Sequence, residues 1–456
     1  MIIEQLEDKG LSIYSYILVS EADKVVVLID PPRDTKKIYD FLTPKNLKVS
    51  YVIETHPHAD FVSSHFDFLH NHSSILLTSR ALGLNVPTAE HFDNNRKIDF
   101  AEFSLTALDT PGHSPDSICV LLSVAGVPKM LFSGDTLFIG DVGRPDLRES
   151  VGNKVAARED LAKAMYKSTR EKLMLLPDSV VVYPGHGAGS LCGKALSSAA
   201  SSTIGAEKMS NPALASMSEA DFVTMLTTDQ PFVPAYFGQA VEMNRSGYQP
   251  LHETRDALKE LSPEEAITLG CLIVDTRSAK AFGQGHMQGA YNVMEGGKFE
   301  TWLGSIVQPS EEFILIAKDL DTFNHLYMRV GMIGYEQQLK GYIIAASMQG
   351  ASSPSFDLDA FLEQPEAFEI IDNRNWNEIK TGAIFPNAKT IPLPELRQRM
   401  AEIEGNKPVL VHCAGGYRSA AGASIIQAAM PAATVYDLSE AIVAIRNGTL
   451  AVATKA

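Results

Sequence analysis

A chain of 456 residues, 45% apolar and 21% charged, has material for about two to four globular domains at roughly 100–200 residues each. Lys and Arg number 39 against 55 Asp and Glu; the net charge of −16, with no basic cluster to offset it, excludes nucleic acid and anionic membrane surfaces as partners. Only four cysteines occur, Cys119, Cys192, Cys271 and Cys413, none in CxxC spacing, which excludes a disulfide framework and a cysteine zinc site.

The chain opens on Met1-Ile-Ile-Glu-Gln-Leu-Glu-Asp-Lys, with no basic region and no apolar signal core, and no later run reaches the length of a membrane span. The protein is therefore expected in the cytoplasm. Residues 12–20 alternate at period two and predict a strand; residues 25–30 form a short buried run closed by Pro31-Pro32. A helix is predicted over 35–42 and strands over 49–55, 73–77, 103–108, 117–122, 130–132 and 180–183, with a helix over 158–175. Residues 1–250 thus read as one strand-rich α/β domain.

Within that domain, the turns that follow apolar runs carry metal-ligand chemistry. Thr55-His-Pro-His-Ala-Asp-Phe places His56, His58 and Asp60 after a buried strand; Asp109-Thr-Pro-Gly-His supplies His113, Phe132-Ser-Gly-Asp-Thr supplies Asp135, and Tyr183-Pro-Gly-His-Gly supplies His186. One such histidine alone reads as a hydrogen-bonded loop residue. Several imidazoles and carboxylates on successive strand-end turns read as a transition-metal site. The constellation resembles the metallo-β-lactamase superfamily, whose fold is an αββα sandwich of two mixed sheets with helices outside. Many members hold two metals through an HxHxDH motif, but the residue after Asp60 is Phe61, so a ligand of the second metal is missing. His56, His113 and Asp135 remain as a two-His, one-carboxylate set, the arrangement suited to non-haem Fe(II) and O₂. Within the superfamily this looks like the persulfide dioxygenases. The resemblance implies one Fe(II) per chain on His56, His113 and Asp135, with His58, Asp60 and His186 orienting ligands around it. Arg144 and Tyr183 are candidates for holding the substrate; Arg144 reads equally well as the partner of Asp141 or Asp146.

Further along, Leu272-Ile-Val-Asp-Thr-Arg with Gly289-Ala and Ile370-Ile-Asp-Asn-Arg with Gly382-Ala repeat one pattern, and Asp275 and Asp372 stand 97 residues apart. This predicts a duplicated domain over 255–350 and 358–456, joined by the small, polar residues 347–355. In the second copy Pro408-Val-Leu-Val-His-Cys-Ala-Gly-Gly-Tyr-Arg-Ser is a buried strand ending in Cys413, then a glycine-bearing loop and a helical run. Backbone N–H groups of such a loop stabilise a thiolate, and Arg418 adds a positive charge suited to an anionic sulfur oxide. The segment resembles the rhodanese active loop, C-x-x-x-x-R. It departs from the family at Tyr436-Asp-Leu-Ser-Glu-Ala, which lacks the Gly-Gly turn and the tryptophan common there. The first copy has Lys318-Asp-Leu-Asp where the loop is expected, and no cysteine lies between Cys271 and Cys413, so it reads as a pseudo-rhodanese. Cys119 and Cys271 read as core; Cys192 lies in a Gly-rich loop of the metal domain.

The two resemblances together imply a bifunctional enzyme of sulfide detoxification. A low-molecular-weight thiol persulfide and O₂ would give sulfite at the iron, and Cys413 would move sulfane sulfur between persulfide and sulfite or thiosulfate. A homo-oligomer is expected. Two other readings stay open: a dinuclear thioester hydrolase of the glyoxalase II type, against which Phe61 stands, and a noncatalytic sulfur-relay scaffold.

Overall fold

The computed structural model describes residues 1–452 apart from 85, 87 and 149–156. It divides into two compact units, one of residues 1–250 with Gly331–Gly334 and one of residues 251–330 and from 335 onward. Among the described residues no helix is long and apolar enough to cross a membrane.

The first unit stacks two six-stranded mixed sheets. One runs in the order β1 (Ile2–Asp8), β2 (Ile13–Ser20), β3 (Val25–Ile29), β4 (Val49–Glu54), β5 (Ile75–Thr78), β6 (Ala89–His91). The other comprises β7 (Lys97–Asp99), β8 (Ser104–Asp109), β9 (Ile118–Val124), β10 (Val127–Gly134), β11 (Val181–Pro184) and β12 (Ser202–Thr203), side by side in that order. Tyr14, Tyr16, Leu18, Val27 and Ile53 from the first sheet meet Leu105, Val120, Leu122 and Phe132 from the second in an apolar layer between them. Outside the first sheet, Ile17, Val19, Leu28 and Val52 pack on Ile38, Leu42 and Phe68 of two helices. Outside the second, Cys119, Leu121, Leu131 and Val182 pack on Ala162 and Met165. The result is the αββα sandwich expected above.

Burial on both faces explains the details that patterning misses. β2 alternates in sequence, yet all eight of its residues are buried, because its odd and even positions face two different apolar layers. The helix expected over 158–175 ends at Glu171 and tightens into a 3₁₀ turn, Leu173–Leu175. β1, an edge strand paired antiparallel with β2, carries no strong pattern of its own.

The second unit contains two four-stranded parallel sheets. They are β14 (Tyr291–Asn292), β13 (Leu272–Asp275), β15 (Phe313–Ala317), β16 (Leu339–Ile344), and β18 (Lys389–Thr390), β17 (Glu369–Asp372), β19 (Val409–His412), β20 (Val435–Asp437). The spatial order is the same in both. So is one detail: Arg277 forks onto Asp275 and reaches the carbonyl of Gly285 at 2.8 Å, and Arg374 forks onto Asp372 and reaches the carbonyl of Gly382 at 3.2 Å. Residues 351–353 between the halves are fastened to the first: His286 and Ala351 exchange backbone bonds of 2.8 and 3.0 Å, and Ser353 N–H donates to Gly283 O at 3.0 Å. Cys119 is core, but Cys271, at the mouth of β13, is only half-buried, because the strand starts at the sheet's edge of burial rather than inside it.

Phe132 is fully buried, with its ring 4.9 Å from that of Tyr16 and stacked 5.5 Å from that of Tyr183. Phe132→Ala is expected to destabilise the first unit by about 3–5 kcal/mol through the cavity it leaves. Urea unfolding followed by tyrosine near-ultraviolet circular dichroism measures this.

Candidate metal centre and reactive cysteine loop

Four strand ends from the two sheets deliver the predicted ligands to one place. β4 delivers His56 and His58, β8 delivers His113, β10 delivers Asp135 and β11 delivers His186, and all are buried. The β10 turn requires glycine: Gly134 has φ +49°, and a Cβ there would lie 2.6 Å from Thr55 Oγ1. Gly185 lets its backbone come so close that a Cβ would lie 2.6 Å from Asp135 Oδ1.

His56, His113 and Asp135 offer ligand atoms that all lie within 4.8 Å of one another. Asp135 Oδ2 is 3.5 Å from His113 Nε2 and 3.8 Å from His56 Nε2. Among the described residues neither Asp135 Oδ2 nor His56 Nε2 has a hydrogen-bond partner. Buried lone pairs that converge without partners are what a metal ion satisfies. Burial holds both imidazoles below the usual histidine range, with His58 adding to the effect at His56, so both are neutral as ligands must be. Burial by itself would raise the Asp135 carboxyl; His186, then His56 and His113, outweigh it and hold the group far below the carboxylate range.

His186 sits between carboxylates, its Nδ1 2.8 Å from Asp135 Oδ1 and its Nε2 2.7 Å from Asp60 Oδ2. Against the burial penalty, Asp135 and Asp60 push it well above the ordinary range, so the imidazolium donates to both. Asp60 and His186 form a second group of potential ligands with Cys192, whose thiol is pushed up by burial and by Asp60 and Asp135. His58 is not directed to the triad. Its Nε2 lies 3.1 Å from Asp30 Oδ1 and 3.7 Å from Glu54 Oε2, and Asp30, outweighing burial, pushes it up to about 9. Asp30 also accepts from Thr55 N–H and Oγ1 at 2.8 Å each, and Thr55 Oγ1 is 3.0 Å from His56 Nδ1. The ring of Phe61 lies 4.1 Å from that of His58, apolar packing where the family's motif has a ligand.

The two residues expected at the substrate have partners within the protein. Arg144 is buried, and Asp146 receives its Nε and Nη2 at 2.7 and 2.6 Å while the carbonyls of Leu191 and Pro231 receive Nη1 and Nη2 at 3.0 and 2.7 Å. The ion pair with Asp146 is present, since a guanidinium in so dry a place must be neutralised locally. Tyr183 belongs to the inter-sheet layer, stacked on Phe132 and edge-on to Tyr16 at 5.6 Å. Asp30, Glu54 and Thr55 are functional neighbours that sequence reading did not single out. A signal existed: an acidic residue closes each of two adjacent apolar strands.

In the second unit, Cys413 follows β19 and is buried. Gly416, at φ +105°, turns its N–H onto the sulfur at 3.1 Å, and the thiol lies 3.7 Å from Ser419 Oγ. The helix Tyr417–Ala429 starts directly after. Arg418 is not a free charge: Nη1 and Nη2 fork onto Glu378 at 2.5 and 2.8 Å. At the matching place after β15, Asp319 caps Thr322 N–H at 2.7 Å and Lys318 pairs with Glu295 at 2.7 Å, a tight helix start with no thiol.

Residues 8–186 match the metallo-β-lactamase superfamily. A crystal structure of a metallo-β-lactamase from Staphylococcus aureus subsp. aureus COL is 32% identical, with a TM-score of 0.66 over 75% of this chain and 99% of that one. The chain belongs to the metallo-β-lactamase superfamily. It also carries a rhodanese-like domain, matched over residues 357–447. "Persulfide dioxygenase ETHE1, mitochondrial" of Homo sapiens is 28% identical over 194 residues, 41% of this chain and 68% of that protein. "Probable hydroxyacylglutathione hydrolase glo2" of Schizosaccharomyces pombe is 29% identical over 177 residues, 38% of this chain and 63% of that protein. Superfamily membership and the convergent donor set together imply a bound metal.

Cys119 tests the burial argument directly. Burial pushes its thiol up to about 11, so at pH 8 only about one molecule in a thousand carries the thiolate. Native protein treated with iodoacetamide at pH 8 is expected to leave Cys119 unmodified and to label it only after denaturation, as read by peptide mass spectrometry.

Proposed function

We propose that this superfamily member is a bifunctional sulfur enzyme of three domains, residues 1–250, 255–350 and 358–456, whose first domain oxidises a low-molecular-weight thiol persulfide with O₂ and whose last moves sulfane sulfur. The observation that carries the reading is the triad His56, His113 and Asp135, two neutral imidazoles and a carboxylate whose ligand atoms converge, with His56 Nε2 and Asp135 Oδ2 unpartnered among the described residues, beside a Phe61 that removes a ligand from any second metal. The similarity to the human persulfide dioxygenase and the rhodanese-like domain support it.

His56, His113 and Asp135 would hold one Fe(II), which when bound supplies the redox chemistry with O₂. The overall reaction is RSSH + O₂ + H₂O → RSH + SO₃²⁻ + 2H⁺. His186 fixes Asp135 by one oxygen and leaves the other turned toward the imidazoles; Asp60 fixes His186; Asp30, through Thr55, holds Nδ1 of His56, and His58 braces Asp30. At Cys413 the thiolate attacks the sulfane sulfur of RSSH, giving Cys413–S–SH and RS⁻. Sulfite then attacks the outer sulfur, the S–S bond breaks, and thiosulfate, a proton and the Cys413 thiolate are released. The same residues serve the reverse direction, and fusion keeps the labile sulfur local.

A second reading has one observation in its favour. Asp60, His186 and Cys192 form a buried donor group next to the triad, and a two-metal thioester hydrolase would use it. Metal analysis separates the two: about one iron per chain for the dioxygenase, two metals for the hydrolase.

Purified protein given glutathione persulfide is expected to consume O₂. His113→Ala should abolish uptake and iron retention, and Asp60→Asn should weaken iron retention about 10- to 100-fold. Cys413→Ser should retain uptake and lose thiosulfate formation from added persulfide and sulfite. No persulfide-dependent uptake with glutathione, coenzyme A or cysteine carriers sinks the dioxygenase reading.

A further inference from the structure

The half of the second unit whose loop after β15 has no cysteine touches the active loop of the other half. Tyr417, the residue before Arg418, donates its phenol to Met294 O at 2.5 Å. Ser424, two turns along the same helix, accepts from Asn292 N–H at 2.8 Å. Arg397 forks onto Glu311 at 2.6 Å through each terminal nitrogen and reaches Ile306 O at 2.8 Å. The guanidinium of Arg418 also lies over the indole of Trp302, 5.5 Å from the ring centroid, and Trp302 belongs to the helix Phe299–Ile306 of the first half.

We propose that Trp302 and Glu378 are positioning residues that set how well the Cys413 loop takes an oxyanion partner, sulfite as acceptor or thiosulfate as donor. The inference rests on the reading of Cys413 as a sulfur carrier. Arg418 is the one cation in the loop sequence Cys-Ala-Gly-Gly-Tyr-Arg. Its charge is shared with Glu378, so a sulfite dianion must compete with that carboxylate for the guanidinium. Trp302 opposes Glu378 in this competition. Its face holds the guanidinium at the loop through cation–π attraction and removes the rotamer freedom that a long side chain otherwise loses on binding. Loading of Cys413 from a thiol persulfide brings in no oxyanion and does not draw on Arg418 in the same way. The first half thereby contributes a wall to the transferase site without a thiol in its own matching loop.

The two half-reactions separate the proposal from a structural role. Loading is read as the mass gain of Cys413 after glutathione persulfide; discharge is read as thiosulfate formed against sulfite concentration. Trp302→Ala is expected to raise the KM for sulfite about five-fold, while the loading rate moves less than two-fold, and Trp302→Phe should recover most of the loss. Glu378→Gln should act in the opposite direction and lower that KM; glutamine still provides the acceptor that Asn375 N–H uses at 3.0 Å to start its helix. An unchanged KM in Trp302→Ala, or a loss of loading in proportion to discharge, overturns the proposal. Absence of loading in the wild-type protein overturns the reading of Cys413 itself, a different failure that is recognised before any variant is compared.

Discussion

Asp135 is a carboxylate almost without water, and the first unit is organised around that fact. Leaving such a charge unpaired costs several kcal/mol, so each oxygen needs a positive or hydrogen-bonding partner. One oxygen has His186. The other faces two imidazoles that burial keeps neutral, and a metal cation is the species that satisfies all three at once. The partners come from strands of both sheets, so the centre exists only when the sandwich is closed. Folding and metal affinity are in this sense one equilibrium.

The second unit solves a related problem by other means. Cys413 has a backbone N–H and a hydroxyl for its sulfur, and the nearby guanidinium is tied to Glu378. Its two halves share the Asp–Arg fork although only one has a cysteine in the loop after its central strand. That fork therefore belongs to the scaffold: it closes the strand-to-helix turn after β13 and β17 in both and says nothing about chemistry. The difference that bears on sulfur is one turn, where Asp319 caps a helix in one half and Gly416 cradles a sulfur in the other.

The sandwich, the triad and the cysteine loop were legible in the sequence because they sit on Gly- and Pro-marked turns after apolar runs, where residue type and spacing almost determine position. Direction was less legible. His56 and His58 are two residues apart on one loop, yet one faces Asp135 and the other Asp30. Arg144 pairs with the near Asp146 that the sequence offered, but its contacts to the carbonyls of Leu191 and Pro231, and those of Tyr183 with Tyr16 and Phe132, come from residues distant in sequence. Glu378 and Trp302 were invisible because a charge or an indole has no function until its neighbour is known. Cys271 was read as core, but it stands one residue ahead of β13 and packs only partly buried against the edge of the apolar cluster.

The fastening of residues 351–353 to the first half leaves little slack before the helix Leu358–Glu363 begins the second. A short tether keeps two surfaces at high effective concentration, so contacts too weak to hold free partners together are made essentially all the time. One indole and a few hydrogen bonds then suffice to keep a wall in place beside Cys413, and lengthening the connection would dilute that wall without altering a single residue of it.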